Sequence, residues 1–410
     1  MYGLLRCTFD RTYLPRPIES TLRPHRNVTG QFRTNSPSLK ATHLVKGKFM
    51  QRKTLLQQAR EFVRAQEGVI APLSLSEEEI DPQTQHDLSV RAYPLEPTNE
   101  CHPIEYDPKS DSMCSAFRYF EDGRQKTLLL GYIPISIGRR SLVIPVHYCV
   151  VSAVILQRID RKLRLWREAI VVEGICVERS LLANQRIADD FERAGLRIID
   201  TKAVGGDYHY LRSRALHMAK VLRLHTEDAL IESWRTSPEA SDAYLVVDGT
   251  LMNFRSADNV ERCVAVSKSS TSRYFDLSTH TRIMQMEQYQ RSGAFRFKSP
   301  QDDASMGGKD RLSWYLRLRT HPGCDVEFGL IRVEISTRHS GKISELANEI
   351  SRYLLSESLP TSYPYPRWDR HLFPIRACET YLESIVPTND TIRAAMQGSS
   401  KGLTYDAHEY

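Results

Sequence analysis

Short apolar runs with the spacing of β-strands dominate the chain from residue 115 onward. They are dense in β-branched and aromatic residues, and brief polar turns separate them. Four successive runs cover residues 117–121, 128–137, 143–156 and 169–177. Strands that follow one another this closely predict an antiparallel meander.

Helical and strand patterns alternate after the meander. Apolar residues recur at helical spacing over residues 179–194 and 208–234, and short strands are predicted at 196–200, directly before Asp248, and at 263–267. Further helices and strands are predicted at residues 257–263, 314–319, 325–335, 340–355 and 374–385. This order predicts an α/β fold of the ribonuclease H-like class, in which helices flank a mixed sheet.

The N-terminal part of the chain differs from the rest in composition. Residues 1–45 are rich in proline, threonine, arginine and asparagine, whereas residues 48–66 have the spacing of a basic helix. This helix could pack on its own domain or dock on a partner or nucleic acid. An acidic, proline-rich stretch at 76–109 is typical of a linker or an irregular excursion. We predict three regions: an N-terminal extension over 1–110, a main domain over 115–390 and a polar tail over 391–410.

The bulk composition narrows the class of protein. The chain has 410 residues, of which 41% are hydrophobic and 26% charged. No apolar stretch reaches the roughly 18 residues of a membrane span, and the N-terminus has no apolar signal core, so we predict a cytoplasmic protein without membrane contact. The eight cysteines form no C-x-x-C pair, which indicates free thiols rather than a zinc site. The net charge of +6 mildly favours a polyanionic partner.

Two apolar runs end in an acid followed by glycine, at Asp122-Gly123 and Asp248-Gly249. Aspartates at strand ends, with a glycine that lets the backbone turn, hold divalent cations in many hydrolases. Such cations neutralise the negative charge that develops when a phosphodiester is hydrolysed. The oxygen donors favour manganese or magnesium. The alternative is that both aspartates are ordinary turn residues.

The helix predicted at 208–234 offers a third acid. Its candidates are Glu227, Asp228 and Glu232. A helix beside the central strands can direct one carboxylate toward their ends. We favour Glu227, with Glu232 second, because Glu227 shares a helix face with Ile231 and lies one turn after Arg223. The alternative is that these acids form an exposed helix face.

Three more charged residues lie near predicted strand ends. Lys268 follows an apolar strand, where it could bind a phosphate or stabilise a transition state, or simply be solvated. Arg332 and Glu334 share one face of an alternating strand, which is either the solvent side of the sheet or a charged pair facing a cleft. The sequence contains no phosphate-binding loop, nucleophile elbow or dinucleotide fingerprint, so the chain is not predicted to be an ATPase itself.

In their order, these segments resemble the NurA family of prokaryotic nucleases. The resemblance covers roughly residues 115–385 and includes a late Tyr-Pro segment at 363–366. It is most specific at 244–251 (YLVVDGTL), 264–270 (VAVSKSS) and 332–334 (RVE). It implies a ribonuclease H-like core, manganese-dependent cleavage of DNA, a homodimer and a HerA-type hexameric ATPase as partner.

The resemblance also implies roles for individual residues. Asp122, Glu227 and Asp248 would bind the metal, and Lys268 and Glu334 would match the later catalytic lysine and acid. We assign substrate binding to three basic residues: Lys268, Arg332 and Arg124. This chain departs from the family at three places: Arg124 stands where the family usually has a small residue, Arg376-Ala377-Cys378 stands where a histidine is expected although His371 is near, and residues 1–110 have no obvious counterpart. The last could be the docking surface for the ATPase.

Three functional hypotheses follow from the sequence. The first is a metal-dependent DNA nuclease that acts with a translocating ATPase in DNA end processing or phage defence. The second is a catalytically degenerate subunit of the same fold that binds DNA or the ATPase. The third is a ribonuclease H-like enzyme that acts on RNA.

Overall fold

The computed structural model describes residues 47–70, 92–97, 100–110, 115–137, 140–203, 206–254, 256, 262–268, 274–297, 311–336, 342–358 and 368–392. Several predicted features lie outside these ranges: the irregular segment 1–45, most of the helix at 257–263, the Tyr-Pro segment at 363–366 and the tail beyond residue 392.

Six α-helices and fourteen strands occur in the described ranges. The helices are α1 (Gly47–Ala65), α2 (Gln185–Arg193), α3 (Tyr208–Arg235), α4 (Leu277–Met284), α5 (Ile343–Glu357) and α6 (Phe373–Ile385). The strands are β1 (Val69–Ile70), β2 (Ala92–Pro94), β3 (Cys101–Pro103), β4 (Phe117–Ile137), β5 (Arg140–Ile159), β6 (Lys162–Leu165), β7 (Ile170–Val177), β8 (Ile198–Asp200), β9 (Tyr244–Asp248), β10 (Cys263–Ser267), β11 (Gln290–Ser292), β12 (Phe295–Phe297), β13 (Arg311–Arg317) and β14 (Leu330–Ser336).

All fourteen strands belong to one mixed sheet. Its main path runs β2-β12-β13-β14-β10-β9-β4-β5-β7-β8. Strands β4, β5 and β7 form an antiparallel meander, and β9 and β10 follow β4 in parallel. Strand β14 then pairs antiparallel with β10. The predicted α/β fold with a mixed sheet flanked by helices is confirmed.

The first acid-glycine pair lies within a strand and not at a strand end. We predicted two strands, at 117–121 and 128–137, but β4 runs unbroken from Phe117 to Ile137. Asp122 and Gly123 pair with Val154 and Ala153 of β5 in regular register. The prediction of a turn here is wrong, because the long partner strand β5 holds the Asp-Gly backbone extended.

Helices cover both sides of the central strands. On one side, which we call the α3 face, the end of α3 packs on alternate residues of the strands: Leu230, Ile231 and Trp234 on Tyr119, Ile155, Leu245 and Val247. On the other side, which we call the α6 face, α5 and α6 pack on the intervening residues: Ile350, Leu354, Cys378 and Leu382 on Phe120, Val246 and Val264. This alternation is the period of two that a strand buried on both faces requires.

Segments before residue 110 also join this fold. Strands β2 and β3 pair with β12 and β11 within the stretch predicted as a linker or irregular excursion. Helix α1 packs beside the β4-β5 hairpin and contacts α2 through Phe62 and Phe191. The boundary between 1–110 and 115–390 stays a prediction. None of the helices in the described ranges is both long and apolar enough to cross a membrane.

Candidate functional site

Strand β9 ends beside the first quarter of β4. The last residues that pair between the two strands are Glu121 and Val247. Between this point and Gly131, where β1 pairs with it, β4 has a neighbouring strand among the described residues only on its β5 side. The turn after Asp248 is made by Gly249, which has a φ of +112° and donates its N–H to Val266 over 2.9 Å. A junction between strands therefore forms around Asp122, Gly123 and Asp248.

Gly123 lets the α3 glutamate reach this junction. A Cβ atom added to Gly123 would lie 1.8 Å from Oε1 of Glu227. No side chain fits in that distance, so glycine here provides close approach rather than a turn. The structure thus brings the preferred helical acid against the first acid-glycine pair.

Glu121 lies on the same face of β4 as Gly123 and is fully buried. Neither of its carboxyl oxygens has a hydrogen-bond partner among the described residues, and the same holds for Oε2 of Glu227. Oε1 of Glu227 accepts a hydrogen bond of 2.8 Å from Nη1 of Arg223, one turn earlier on α3. Buried polar atoms normally have partners, so three unsatisfied carboxyl oxygens at one place need an explanation.

The pKa values of the acids on the α3 face reflect their burial close to one another. Burial raises the pKa of Glu121 well above its usual range, and the carboxylates of Glu227 and Asp122 raise it further. Burial also raises the pKa of Glu227 to about 7, although the Arg223 guanidinium opposes the shift. The carboxyl groups on this face therefore hold protons more tightly than glutamates in water.

On the α6 face, a lysine bridges two acids. Nζ of Lys268 lies 3.2 Å from Oδ2 of Asp248 and 3.1 Å from Oε1 of Glu379 on α6. Asp122 is on this face by strand alternation and is nearly fully buried. Burial raises the pKa of the Asp122 carboxyl well above its usual range, as does the charge of Asp248, and Lys268 opposes the shift in part.

The charge of Lys268 is held firmly by these acids. Burial lowers the pKa of Lys268, but the carboxylates of Asp248, Glu379 and Asp122 outweigh burial and raise it overall. Burial raises the pKa of Glu379, but Lys268 and His371 bring it below its ordinary value. The lysine therefore stays charged among acids from three separate elements.

Sequence reasoning missed Glu379. It contributes a carboxylate from α6, and its Oε2 accepts a 3.0 Å hydrogen bond from Arg376. His371, noted only for its position near α6, has its Nδ1 3.8 Å from Oε1 of Glu379. Burial and the charge of Lys268 lower the pKa of His371 to about 4, so the imidazole is neutral at pH 7. The i,i+3 spacing of Arg376 and Glu379 was visible in the sequence, but which helix covers the site was not.

The remaining predicted residues have different environments. Arg124 is half-buried and pairs with Glu383 on α6 at 3.2 Å, at the rim of the junction. Glu334 is fully buried and accepts hydrogen bonds from Oγ1 of Thr250, the N–H of Leu251 and Arg332. It therefore fixes the turn that follows Asp248. The Arg332 guanidinium also lies 4.8 Å from the Tyr274 ring centre, so both residues are buried within the fold rather than on the solvent side of the sheet.

The other helical acids lie away from the junction. Glu232 pairs with Arg235 on the outside of α3, at 2.6 Å. Oδ1 of Asp228 accepts a 2.9 Å hydrogen bond from the N–H of Ser256. Of the three candidates, the structure brings only Glu227 to Gly123.

The arrangement bears on whether a divalent cation fits here. In the part of the chain that the structure describes, no three histidine, cysteine, aspartate or glutamate side chains are disposed to hold a metal ion as they stand. The donor chemistry does suit manganese or magnesium, because the groups are carboxylates and three of their oxygens lack partners. Five carboxyl groups and three cationic groups lie around the junction. The acids are Glu121, Asp122, Glu227, Asp248 and Glu379, and the cations are Arg223, Lys268 and Arg376.

Comparison with known proteins adds no assignment. No family model matches the chain, and no curated protein is significantly similar to it.

Proposed function

We propose that this chain is a divalent-metal-dependent deoxyribonuclease of the NurA type. The observation that carries the proposal is that Asp122 and Asp248 on the α6 face and Glu227 on the α3 face lie close enough beside Gly123 for their charges to act on one another. Asp122 and Asp248 are more than a hundred residues apart along the chain. The strand order β7-β5-β4-β9-β10 supports a ribonuclease H-like core, because an antiparallel meander is followed by two parallel strands.

In this proposal Asp122, Asp248 and Glu227 hold the cations, with Glu121 behind them as a further buried carboxyl. When bound, manganese or magnesium neutralises charge on the attacking and leaving oxygens of a phosphodiester. The chain itself supplies an ammonium at Lys268, which stabilises negative charge at the junction. His371 lies 3.8 Å from Glu379, and its pKa of about 4 keeps it neutral at pH 7, so it adds no positive charge beside Lys268.

Partner and biological role rest on the resemblance alone. We propose a cytoplasmic homodimer that acts with a HerA-type hexameric ATPase in DNA repair or antiviral defence. Sedimentation of the purified chain tests the dimer, and co-purification with such an ATPase tests the partnership.

One observation favours the second candidate, a catalytically degenerate subunit that binds DNA or the ATPase. Lys268 already bridges Asp248 and Glu379, and the acids among the described residues are not disposed as a ready metal site. In that case the lysine replaces the cation as the charge that holds the acids together.

The test is cleavage of labelled DNA by the purified chain with manganese, with labelled RNA alongside. We expect DNA to be cut and cutting to be lost in Asp122→Asn and Asp248→Asn. The matched control is Asp242→Asn, an exposed aspartate just before β9, which should retain activity. Full activity in both site variants would overturn the nuclease proposal, and preferential cleavage of RNA would favour a ribonuclease.

A further inference from the structure

Basic and acidic residues are separated along helix α3. Its first nineteen residues, 208–226, include four arginines and lysines and three histidines but no acid. Glu227, Asp228 and Glu232 follow in the last third. The basic part of the helix therefore precedes the carboxylate that reaches the junction.

The course of α3 along β4 fixes where the basic part lies. Trp234 packs on Tyr119 with ring centres 5.5 Å apart, Glu227 lies against Gly123, and Tyr208 contacts Tyr132 at 5.9 Å. The helix thus runs antiparallel to β4. Its basic part extends away from the junction along the β4-β5 hairpin.

One flank of α3 leads directly to Glu227. At 3.6 residues per turn, His209, Ser213, Lys220, Arg223 and Glu227 share one side of the helix. The first three are exposed, and Arg223 is partly exposed. With a rise of about 1.5 Å per residue, this flank spans roughly 27 Å, the length of several nucleotides of a single strand. We call it the α3 flank.

Neighbouring residues add to the flank. Arg214 and Lys220 lie close enough to His217 for their charges to act on it. Tyr210 is 44% exposed beside His209, whose ring contacts that of Tyr208 at 5.4 Å. Exposed aromatic rings interleaved with basic groups are typical of surfaces that bind single-stranded nucleic acid. The buried side of this part of α3 packs on Cys149 and Cys176 through Ala215 and Ala219.

We propose that the α3 flank binds the phosphates of a single DNA strand and leads it to the carboxylates at Gly123, with Tyr210 stacking on a base. The identity of the polyanion rests on the proposed nuclease function. The surface itself rests on the charge, exposure and direction of α3.

The test measures binding of a labelled single-stranded oligonucleotide in EDTA, so that no cleavage is involved. At about 0.1 M salt we expect Lys220→Glu to weaken binding roughly 10-fold, and to reduce the slope of log K against log salt by about 0.7. Tyr210→Ala should weaken binding by about 5-fold or more. The matched control is Lys342→Glu, the same charge reversal at a highly exposed lysine before α5, with less than about 2-fold effect.

Each outcome tests DNA binding by the α3 flank independently of catalysis. Loss of binding in Lys220→Glu but not in Lys342→Glu supports the α3 flank, even if the wild type cuts no DNA. Equal effects of the two reversals, or a wild type that does not bind DNA at low salt, overturn it. So does a Lys220→Glu variant that binds DNA normally but loses a protein partner in co-sedimentation.

Discussion

Carboxyl groups lie on both faces of the sheet at Gly123, but the two faces differ in how far nearby cations compensate their charge. On the α6 face, Asp248 and Glu379 share the ammonium of Lys268. On the α3 face, Glu121 and Glu227 have only Arg223 between them, and three of their four oxygens have no hydrogen-bond partner among the described residues. Asp248 and Glu379 of the α6 face are thus compensated within the protein. Glu121 and Glu227 of the α3 face have more negative charge than their single arginine offsets. The carboxylates of the α3 face are therefore those most stabilised by a cation from solution.

The largest expected effect comes from removing the compensation on the α6 face. Lys268→Met leaves the partly buried Asp248 and Glu379 without their shared cation, and the loss of one partner of a buried ion pair costs up to about 3–5 kcal/mol. Chemical denaturation should show a fall of that order in the free energy of unfolding. Lys342→Met, at an exposed lysine, should change it by less than about 1 kcal/mol. A Lys268→Met variant as stable as the wild type would show that the two faces do not differ in this way.

The next largest effect is expected from a steric clash on the α3 face. Gly123→Ala adds a methyl group where Oε1 of Glu227 lies, and overpacking of this kind costs about 1–3 kcal/mol. Glu227→Ala removes the obstacle, so Gly123→Ala should cost much less in that background. A double-mutant cycle on unfolding free energies measures this coupling. Additive effects would mean that Glu227 does not lie against Gly123.

The two faces show how much of the candidate site could be predicted from the sequence. The strand before Asp248, the helix predicted at 208–234 and the choice of Glu227 over Glu232 follow from local patterns, because apolar periodicity indicates which side chains face the sheet. The sequence pattern misjudged Asp122-Gly123 as a strand end, because Asp-Gly signals a turn unless a partner strand holds it extended. Glu379 could not be predicted, since its role depends on α6 packing over β4 from 258 residues away.

Protonation gives a smaller, pH-dependent difference between the faces. The pKa of Glu227 rises from an ordinary 4.5 to about 7 on folding. Between these values the unfolded glutamate loses its proton while the folded one retains it, so the free energy of unfolding falls as the pH rises from about 4.5 to about 7. In EDTA, this fall should be smaller in Glu227→Gln by an amount on the order of 2 kcal/mol. Parallel stability profiles of the two proteins would contradict the shift.

The smallest effect is expected at the rim. Arg124 and Glu383 are partly solvent-exposed, and such pairs contribute about 0–1 kcal/mol. Arg124→Ala should therefore leave the unfolding free energy nearly unchanged, as thermal or chemical denaturation can show. If Arg124 binds substrate as proposed, the same variant weakens DNA binding without loss of stability. A large destabilisation would instead make Arg124 part of the compensated α6 face.

The central claim is that carboxylates from both faces act together on one divalent cation centre. Calorimetric titration of the purified chain with manganese tests it most directly, comparing the wild type with Asp122→Asn, Glu227→Gln and the outward-facing control Glu232→Gln. We predict that the wild type and Glu232→Gln bind manganese alike and that each of the other two variants binds about 10-fold more weakly or not at all. Undiminished binding in Glu227→Gln, or no binding by the wild type, would contradict the claim.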